Sequence, residues 1–223
     1  MQLKGIEYEK ILKLLIQSGY PNKMIIDNPT EKSWMIRHDV DNLIDRSVQM
    51  AKLEHKHKVR STYYMLNYDS NIPKEKNYFY QSIDEYRLIN SLGHHIGWHN
   101  NALTDHLLRG DDLRHCIEFP LNFLRELGIP ILSTASHGDQ LCRKMNYVNY
   151  QIWNEFDKGN DLTHDRFDLS EFGLTHEAYL TNRSHYLSES GGNWSVNAYD
   201  YINDWIKNGT GNLQILVHPQ WWS

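Results

Sequence analysis

The sequence has few cysteines, no long apolar run and no cluster of basic residues. Only two of its 223 residues are cysteines, Cys116 and Cys142, too few for a disulfide framework and typical of a reducing compartment. No stretch approaches the roughly 20 consecutive apolar residues that a membrane-spanning helix needs. The first 20 residues mix apolar and charged side chains at helical spacing, which predicts a surface helix rather than a secretory leader. We therefore expect a cytoplasmic protein without a membrane span.

The charge balance gives no sign of a nucleic-acid partner. Lys and Arg number 23 against 28 Asp and Glu, so the formal net charge is -5, and no run of basic residues stands out. The length suits one α/β core, and we expect residues 1–223 to form a single domain. With 14 Tyr, 7 Trp and 13 His, the chain is well supplied with side chains that suit a polar pocket.

Short apolar runs alternate with helical patterns along the chain, as in parallel α/β proteins. Strands are predicted over residues 34–38, 61–66, 95–99, 131–136, 174–179, 185–188 and 213–217. Helices are predicted over residues 44–55, 83–92, 113–127 and 199–207, and Pro120 is expected to kink or restart the third of them. The alternation predicts a barrel or a doubly wound sheet.

Ionisable side chains follow the predicted strands directly. They are His38, Asp39 and Asp41 after the first strand, His99 after the third, His137 after the fourth and His218 after the last. In a parallel α/β fold the carboxyl ends of the strands meet on one face, so these groups are expected to converge. Such a set predicts a metal site with a proton donor and acceptor beside it. Asp41 could instead cap the following helix.

Four motifs in this order resemble those of a known family. They are RHDVD at 37–41, GHHIGWH at 93–99, SHGD at 136–139 and LVHPQWW at 216–222. They look like the motifs of polysaccharide deacetylase-like proteins, the carbohydrate esterase 4 or NodB-homology group, in a branch whose first motif reads HDVD instead of TFDDG. The resemblance implies an irregular (β/α) barrel of about seven parallel strands. It also implies one divalent metal ion, usually zinc, that assists hydrolysis of an N-acetyl or similar acyl group on an amino sugar.

The resemblance assigns roles to four matching residues. Asp39 matches the general base, Asp41 the metal carboxylate, His99 the first metal histidine, and His218 the histidine that protonates the leaving amine.

One position departs from the family pattern. The family usually has a second metal histidine four residues after the first, and this chain has Leu103 there. We expect His137 to take its place, because it follows a neighbouring strand. His95 or His106 could do so instead, or the site could have lost its metal.

Residues in or beside the motifs are expected to contact the substrate, an acylated amino sugar or glycan. The segment YLSESGGNW at 186–194 resembles one in the same branch that has Asp in place of Glu189. The full candidate set is His38, Trp98, Asn100, Glu177, Glu189, Trp194 and Trp221. For Glu177, Glu189 and Trp194, purely structural roles as a cap, a turn and a core aromatic stay open. A cytoplasmic location favours a soluble precursor of surface polysaccharide over peptidoglycan or chitin.

Other functions fit parts of the same pattern. A deformylase or cyclic amidase would keep the metal and change the scissile group. A catalytically silent module that binds a glycan or a partner protein would explain Leu103 as the trace of a lost ligand. A phosphoesterase with several metals would need more carboxylates and His pairs than the spacing supplies. Bound zinc distinguishes the silent module from the enzymes.

Overall fold

The computed structural model describes residues 2–66, 82–138, 140–156 and 164–222; Asp139 of the SHGD motif lies outside them. The strands are β1 (Asn22–Lys23), β2 (Trp34–Val40), β3 (Thr62–Met65), β4 (His95–Asn100), β5 (Ser133–Ser136), β6 (His176–Glu177), β7 (His185–Ser190), β8 (Asn193–Trp194) and β9 (Leu213–Val217). The helices are α1 (Gln2–Gln17), α2 (Ile44–Lys56), α3 (Ile83–Ser91), α4 (Ala102–Arg109), α5 (Leu113–Glu126), α6 (Gln140–Met145) and α7 (Ala198–Asn208).

The strands form one mostly parallel sheet that curls into a half-barrel. Its order is β6-β5-β4-β3-β2-β9-β7-β8, with β1 beside β2, and the pairing of β7 with β8 is antiparallel. The α/β class and the mostly parallel pairing are confirmed, and the expected irregular barrel of about seven strands is present as a half-barrel that does not close. Within the described part of the chain no ladder joins β6 to β8. Both edge strands have only two residues, and β8 is already paired as the second arm of a hairpin, so neither offers a long edge for closure.

Alternation along the strands gives the sheet two different faces. One face, here called the helix-covered face, packs apolar side chains such as Ile36, Ile96 and Ile215 against the helices. The other, the inner face, carries Arg37, Asp39, Tyr64, Gly97, His99 and Gln214. Most of these groups are polar and nearly all are fully buried. The fold therefore places its polar chemistry on the face that the helices do not cover.

Close packing on the inner face explains why residue 97 is a glycine. A Cβ atom added at Gly97 would collide with the ring of Tyr64 on the neighbouring strand β3. Glycine at this position therefore lets β4 lie close to β3 two residues before His99.

Two helical features differ from the predictions. Helix α5 runs unbroken through Pro120, because its buried apolar face, including Ile117, Leu121 and Leu124, offsets the missing backbone donor. The predictions missed α4 and α6, which follow the strand ends that carry His99 and His137. The amino-terminal helix α1 is present as predicted: it packs Leu12 and Leu15, both fully buried, into the core and exposes Lys10 and Lys13 on its other side. Among the described helices, none combines the length and apolar character that crossing a bilayer requires.

Candidate metal centre

Three predicted ligands meet at the carboxyl ends of the strands. Asp41 follows β2, His99 lies near the end of β4 and His137 follows β5, and one donor atom from each lies within 4.8 Å of the other two. The backbone N–H of His137 donates to the carbonyl of Asn100 at 2.8 Å, which extends the pairing of β4 with β5 by one step. The ring centroids of His99 and His137 are consequently 5.1 Å apart.

Hydrogen bonds from the Nδ1 atoms of the two histidines orient both rings so that Nε2 faces Asp41. His99 donates from Nδ1 to the carbonyl of Ala135 at 2.8 Å, and His137 donates from Nδ1 to Oδ1 of Asn101 at 3.2 Å. A neutral ring that donates from Nδ1 keeps a lone pair on Nε2. The Nε2 atoms of His99 and His137 lie 3.4 and 3.9 Å from Oδ1 of Asp41.

Asp41 is a candidate ligand and not a helix cap. The N-cap of α2 is Leu43, in a left-handed conformation, and no side chain caps that helix. Oδ2 of Asp41 accepts a hydrogen bond from Nε2 of Gln220 at 3.0 Å, whereas Oδ1 is buried without a hydrogen-bond partner. Burial acts to raise the pKa of Asp41, but His99, His137 and the charge of His218 hold it well below its ordinary value.

This donor set fits a divalent cation. A buried carboxylate oxygen without a partner is costly, and a cation between it and two imidazole lone pairs removes that cost. One carboxylate oxygen and two imidazole nitrogens are the donors of many catalytic zinc sites, which leave further positions for water and substrate. Asp41, His99 and His137 could hold such an ion.

Asp39 lies beside these residues in a fixed orientation. Nε and Nη2 of Arg37 donate to its two carboxylate oxygens, each at 2.7 Å, and both side chains are buried. Oδ2 of Asp39 is 3.6 Å from Nε2 of His99. Burial acts to raise the pKa of Asp39, but the charge of Arg37 and its hydrogen bonds keep it below its ordinary value. The carboxylate is therefore ionised at neutral pH.

His218 follows β9 and pairs with Glu189 of β7. Its Nδ1 donates to Oε1 of Glu189 at 2.9 Å, and its backbone N–H reaches the same oxygen at 3.2 Å. Burial acts to lower the pKa of His218, but the bond to Glu189 and the charges of Asp39 and Asp41 outweigh it and raise the pKa. The imidazole therefore lies within electrostatic reach of both aspartates.

The alternatives to His137 lie elsewhere. Leu103 is fully buried in the core under the helix-covered face. His95 is further from the strand end and its Nε2 is 3.0 Å from Oγ of Ser133, and burial lowers its pKa to about 4. His106 donates from Nδ1 to the carbonyl of Asp111 at 2.7 Å. In the described ranges, Asp41, His99 and His137 are the group that could hold an ion.

Three residues predicted to contact substrate point away from this group. His38 is fully buried on the helix-covered face, because neighbouring residues of a strand face opposite sides of the sheet. There its ring donates a hydrogen bond to Glu54 at 2.7 Å. Trp98 is buried on the same face for the same reason. The side chain of Asn100 donates to the carbonyl of Asn149 and accepts from the N–H of Ala102, which orders backbone instead of substrate.

The other four candidates are placed differently. Glu177 is buried and accepts from the N–H groups of Ser136 and Tyr179, and burial raises its pKa to about 7. Trp194 packs on Trp222 with ring centroids 5.2 Å apart. Glu189 pairs with His218, as described above. Trp221 has 45% of its surface exposed and stays available to a ligand.

Sequence reasoning missed four residues that hold the site together. Arg37 and Gln220 lie inside the quoted motifs. Arg37 stands two residues before Asp39 and Gln220 two residues after His218, and this i, i+2 spacing was the signal that could have identified them. Asn101 and Asn149 bond to each other and to His137. Asn149 carried no signal, because nothing in its local pattern relates it to a strand end far away in the sequence.

Comparisons with known proteins are limited to structural likeness. No family model matches the sequence, and no curated protein matches it. A family 4 carbohydrate esterase from Bacillus anthracis aligns at 14% identity over 93% of this chain and 76% of its own, with a TM-score of 0.44. The peptidoglycan deacetylase PdaC from Bacillus subtilis aligns at 13% identity over 86% of this chain and 90% of its own, with a TM-score of 0.38. With TM-scores under 0.5, this likeness assigns neither family nor activity to the chain.

Proposed function

We propose that the protein is a metal-dependent hydrolase that removes an N-acyl group, most simply N-acetyl, from an amino sugar. One observation carries the proposal. Asp41, His99 and His137 converge from three strand ends, and the oxygen of Asp41 that faces the two imidazoles is buried and lacks a hydrogen-bond partner. A divalent cation, with zinc as the first choice for two nitrogens and one oxygen, would complete this arrangement.

The metal ligands proposed are Nε2 of His99, Nε2 of His137 and Oδ1 of Asp41. When bound there, the cation would polarise the amide carbonyl and stabilise the negative charge that develops on its oxygen. The hydrogen bonds from His99 and His137 to their partners orient the rings in advance, so little reorganisation is needed when the ion binds.

Asp39 is proposed as the acceptor of the proton from the attacking water. Arg37 holds it ionised and aligned beside His99, with the nearer oxygen 3.6 Å from Nε2 of that ring. An ionised carboxylate with a fixed position is the form that general-base catalysis requires.

His218 is proposed as the donor of the proton to the departing amine. Its Nδ1 is held by Glu189, so in the protonated ring Nε2 carries the proton that can be given away. Glu189 and both aspartates raise the pKa of His218, which favours the protonated form at neutral pH. The acid and the base thus come from β9 and β2, which are neighbours in the sheet.

An exposed aromatic side chain beside the site favours a sugar as substrate. The exposed Trp221 belongs to the turn that follows His218, and an aromatic face can pack on the apolar face of a sugar ring. A panel of N-acetylated, N-formylated and cyclic amide substrates would identify the scissile group.

Metal content and activity of Asp41→Asn test the proposal together. We expect about one zinc per wild-type chain and loss of both metal and hydrolysis in the variant. Asp45→Asn is the matched control, since Asp45 is an exposed aspartate in the first turn of α2. If the wild-type protein binds no zinc and hydrolyses nothing in the panel, the enzyme hypothesis is rejected in favour of a catalytically silent binding module. Equal metal content and activity in wild type and Asp41→Asn would remove the proposed ligand set.

A further inference from the structure

A buried amide network lies behind His137. Asn149, in the short turn Asn149–Ile152, is fully buried. Its Nδ2 lies 2.8 Å from the carbonyl of His137 and 3.1 Å from Oδ1 of Asn101, and its Oδ1 accepts from the backbone N–H of Thr104 at 3.1 Å. The side chain therefore links the segment after β4 to the segment after β5.

The orientation of the Asn149 amide follows from its backbone partners. The N–H of Thr104 can only donate, so the Asn149 atom that faces it must be the oxygen. The carbonyl of His137 can only accept, so the atom that faces it must be the nitrogen. Two backbone groups with fixed roles thus exclude the flipped amide.

The orientation of Asn101 follows in turn. Nδ2 of Asn149 has two hydrogens, and its two nearest partners are the carbonyl of His137 at 2.8 Å and the Asn101 side chain at 3.1 Å, ahead of Oγ1 of Thr104 at 3.2 Å and Sγ of Cys142 at 3.5 Å. The atom of Asn101 that faces this donor is therefore an acceptor, its Oδ1. A flipped Asn101 would put two amide nitrogens opposite each other with no acceptor between them. The same oxygen lies 3.2 Å from Nδ1 of His137, so Nδ1 must carry a hydrogen.

We propose that Thr104, Asn149 and Asn101 form a hydrogen-bond relay that holds His137 in the tautomer with its proton on Nδ1, leaving Nε2 to bind a metal ion. Asn101 and Asn149 are positioning residues, since neither belongs to the ligand group. The inference rests on the proposed metal site for its purpose, but the tautomer can be measured without metal.

The relay supplies to His137 the hydrogen-bond acceptor that His99 receives from a neighbouring strand. His99 lies within β4, where the carbonyl of Ala135 on β5 fixes its Nδ1 directly. His137 lies beyond the last residue of β5, so no strand carbonyl serves it in the same way. Side chains from two separate segments supply the acceptor instead.

The first test measures the tautomer in the metal-free wild-type protein. Two-bond proton–nitrogen correlation spectra distinguish the two neutral forms of each histidine, and His137→Asn identifies the signal. We expect Nδ1 to be protonated in His137, as in His99. A His137 signal with the proton on Nε2, or an equal mixture of forms, would overturn the relay.

The second test changes an amide to an acid at two positions and predicts opposite outcomes. In Asn149→Asp the carboxylate still accepts from Thr104 but cannot donate to Asn101, so Asn101 turns its NH2 toward His137 and the proton moves to Nε2. Zinc affinity should then fall by roughly tenfold or more. In Asn101→Asp the carboxylate still accepts from both partners and makes His137 a more basic ligand, so zinc affinity should rise several-fold.

Zinc affinity is measured by competition with a chelating dye at fixed pH, and Asn203→Asp on the exposed face of α7 is the matched control. If the two variants shift affinity in the same direction, or no more than Asn203→Asp does, the relay is refuted. If wild type binds no zinc, the proposed function fails, and the spectra of the metal-free protein still decide the relay on their own. The spectra of the metal-free wild-type protein also test the relay if Asn149→Asp does not fold.

Discussion

Arg37 holds both carboxylate oxygens of Asp39 at 2.7 Å, although the two residues are only two positions apart on one strand. Residues i and i+2 of a strand face the same side, so the pair forms within β2. The guanidinium also lies over the ring of Tyr179, with its central carbon 4.7 Å from the ring centroid. The arrangement gives the site a carboxylate whose charge and orientation are set before any ligand arrives.

Replacing Arg37 with Met should destabilise the protein by roughly 3–5 kcal/mol, because Asp39 would remain buried without its counter-charge. Urea unfolding measures the change, and Arg87→Met on the exposed side of α3 is the control. The double variant Arg37→Met/Asp39→Leu should regain much of the loss. A loss at Arg37 no greater than that at Arg87 would show that the ion pair does not stabilise this strand.

Gln220 should control metal affinity through Asp41. Its Nε2 donates to Oδ2 of Asp41, while Arg46 donates to the carbonyl of Gln220 at 2.8 Å and anchors the turn. Gln220→Leu and Gln220→Glu both remove the donor, and each should weaken zinc binding by roughly tenfold or more. Gln214→Leu, a buried glutamine on β9, is the matched control. Unchanged zinc affinity in Gln220→Leu would mean that Asp41 needs no second partner.

Glu189→Gln should alter the pH dependence of hydrolysis. A general acid works only when protonated, so activity is lost as pH rises through its pKa. Glu189 helps to raise the pKa of His218, and neutralising it should move the alkaline limb of kcat/KM down by roughly one pH unit. Rate profiles of wild type, Glu189→Gln and the exposed control Glu171→Gln measure this. An alkaline limb that stays in place would remove His218 as the acid or Glu189 as its partner.

The buried carboxylate of Glu54 should make stability depend on acid pH. It accepts hydrogen bonds from His38 and from the hydroxyl of Tyr63, both at 2.7 Å, and from Tyr8. Burial acts to raise the pKa of Glu54, but the charges of His38 and His94 and the hydrogen bonds from His38 and Tyr8 lower it from 4.5 to about 2. A depressed pKa in the folded state stabilises the protein above pH 4.5, and this stabilisation is lost as pH falls toward 2.

Glu54→Gln should therefore be less stable than wild type at pH 7 by roughly 3 kcal/mol or more. The difference should shrink as pH falls from about 5 toward 2. Urea unfolding at several pH values, with Glu126→Gln on the exposed side of α5 as the control, measures it. A difference that stays constant across that range would show that Glu54 is not ionised in the folded protein.

The strand ends show how far sequence reasoning reached. Asp41, His99 and His137 lie close together, because the carboxyl ends of parallel strands share one edge of the sheet. The same reasoning placed His38 and Trp98 near the site, and there it was wrong. Residues next to each other on a strand face opposite sides, so each of these two side chains lies under the helices instead.

Several predictions stay predictions. They are the metal itself, the catalytic roles of Asp39 and His218, the substrate, the cytoplasmic location and the single domain. The sequence predicted a barrel but not that it stays half open, since strand runs predict pairing and not whether the last strand returns to the first.

The sequence by itself determined the alternation of strands and helices, and with it the edge at which the ionisable side chains collect, because both depend on local periodicity and on the direction of parallel strands. Tertiary structure alone decided the hydrogen bonds that orient those side chains. Gln220 reaches Asp41 across 179 positions, and Asn149 reaches Asn101 across 48. Such pairings depend on where folded segments come to lie, and no local pattern contains that information.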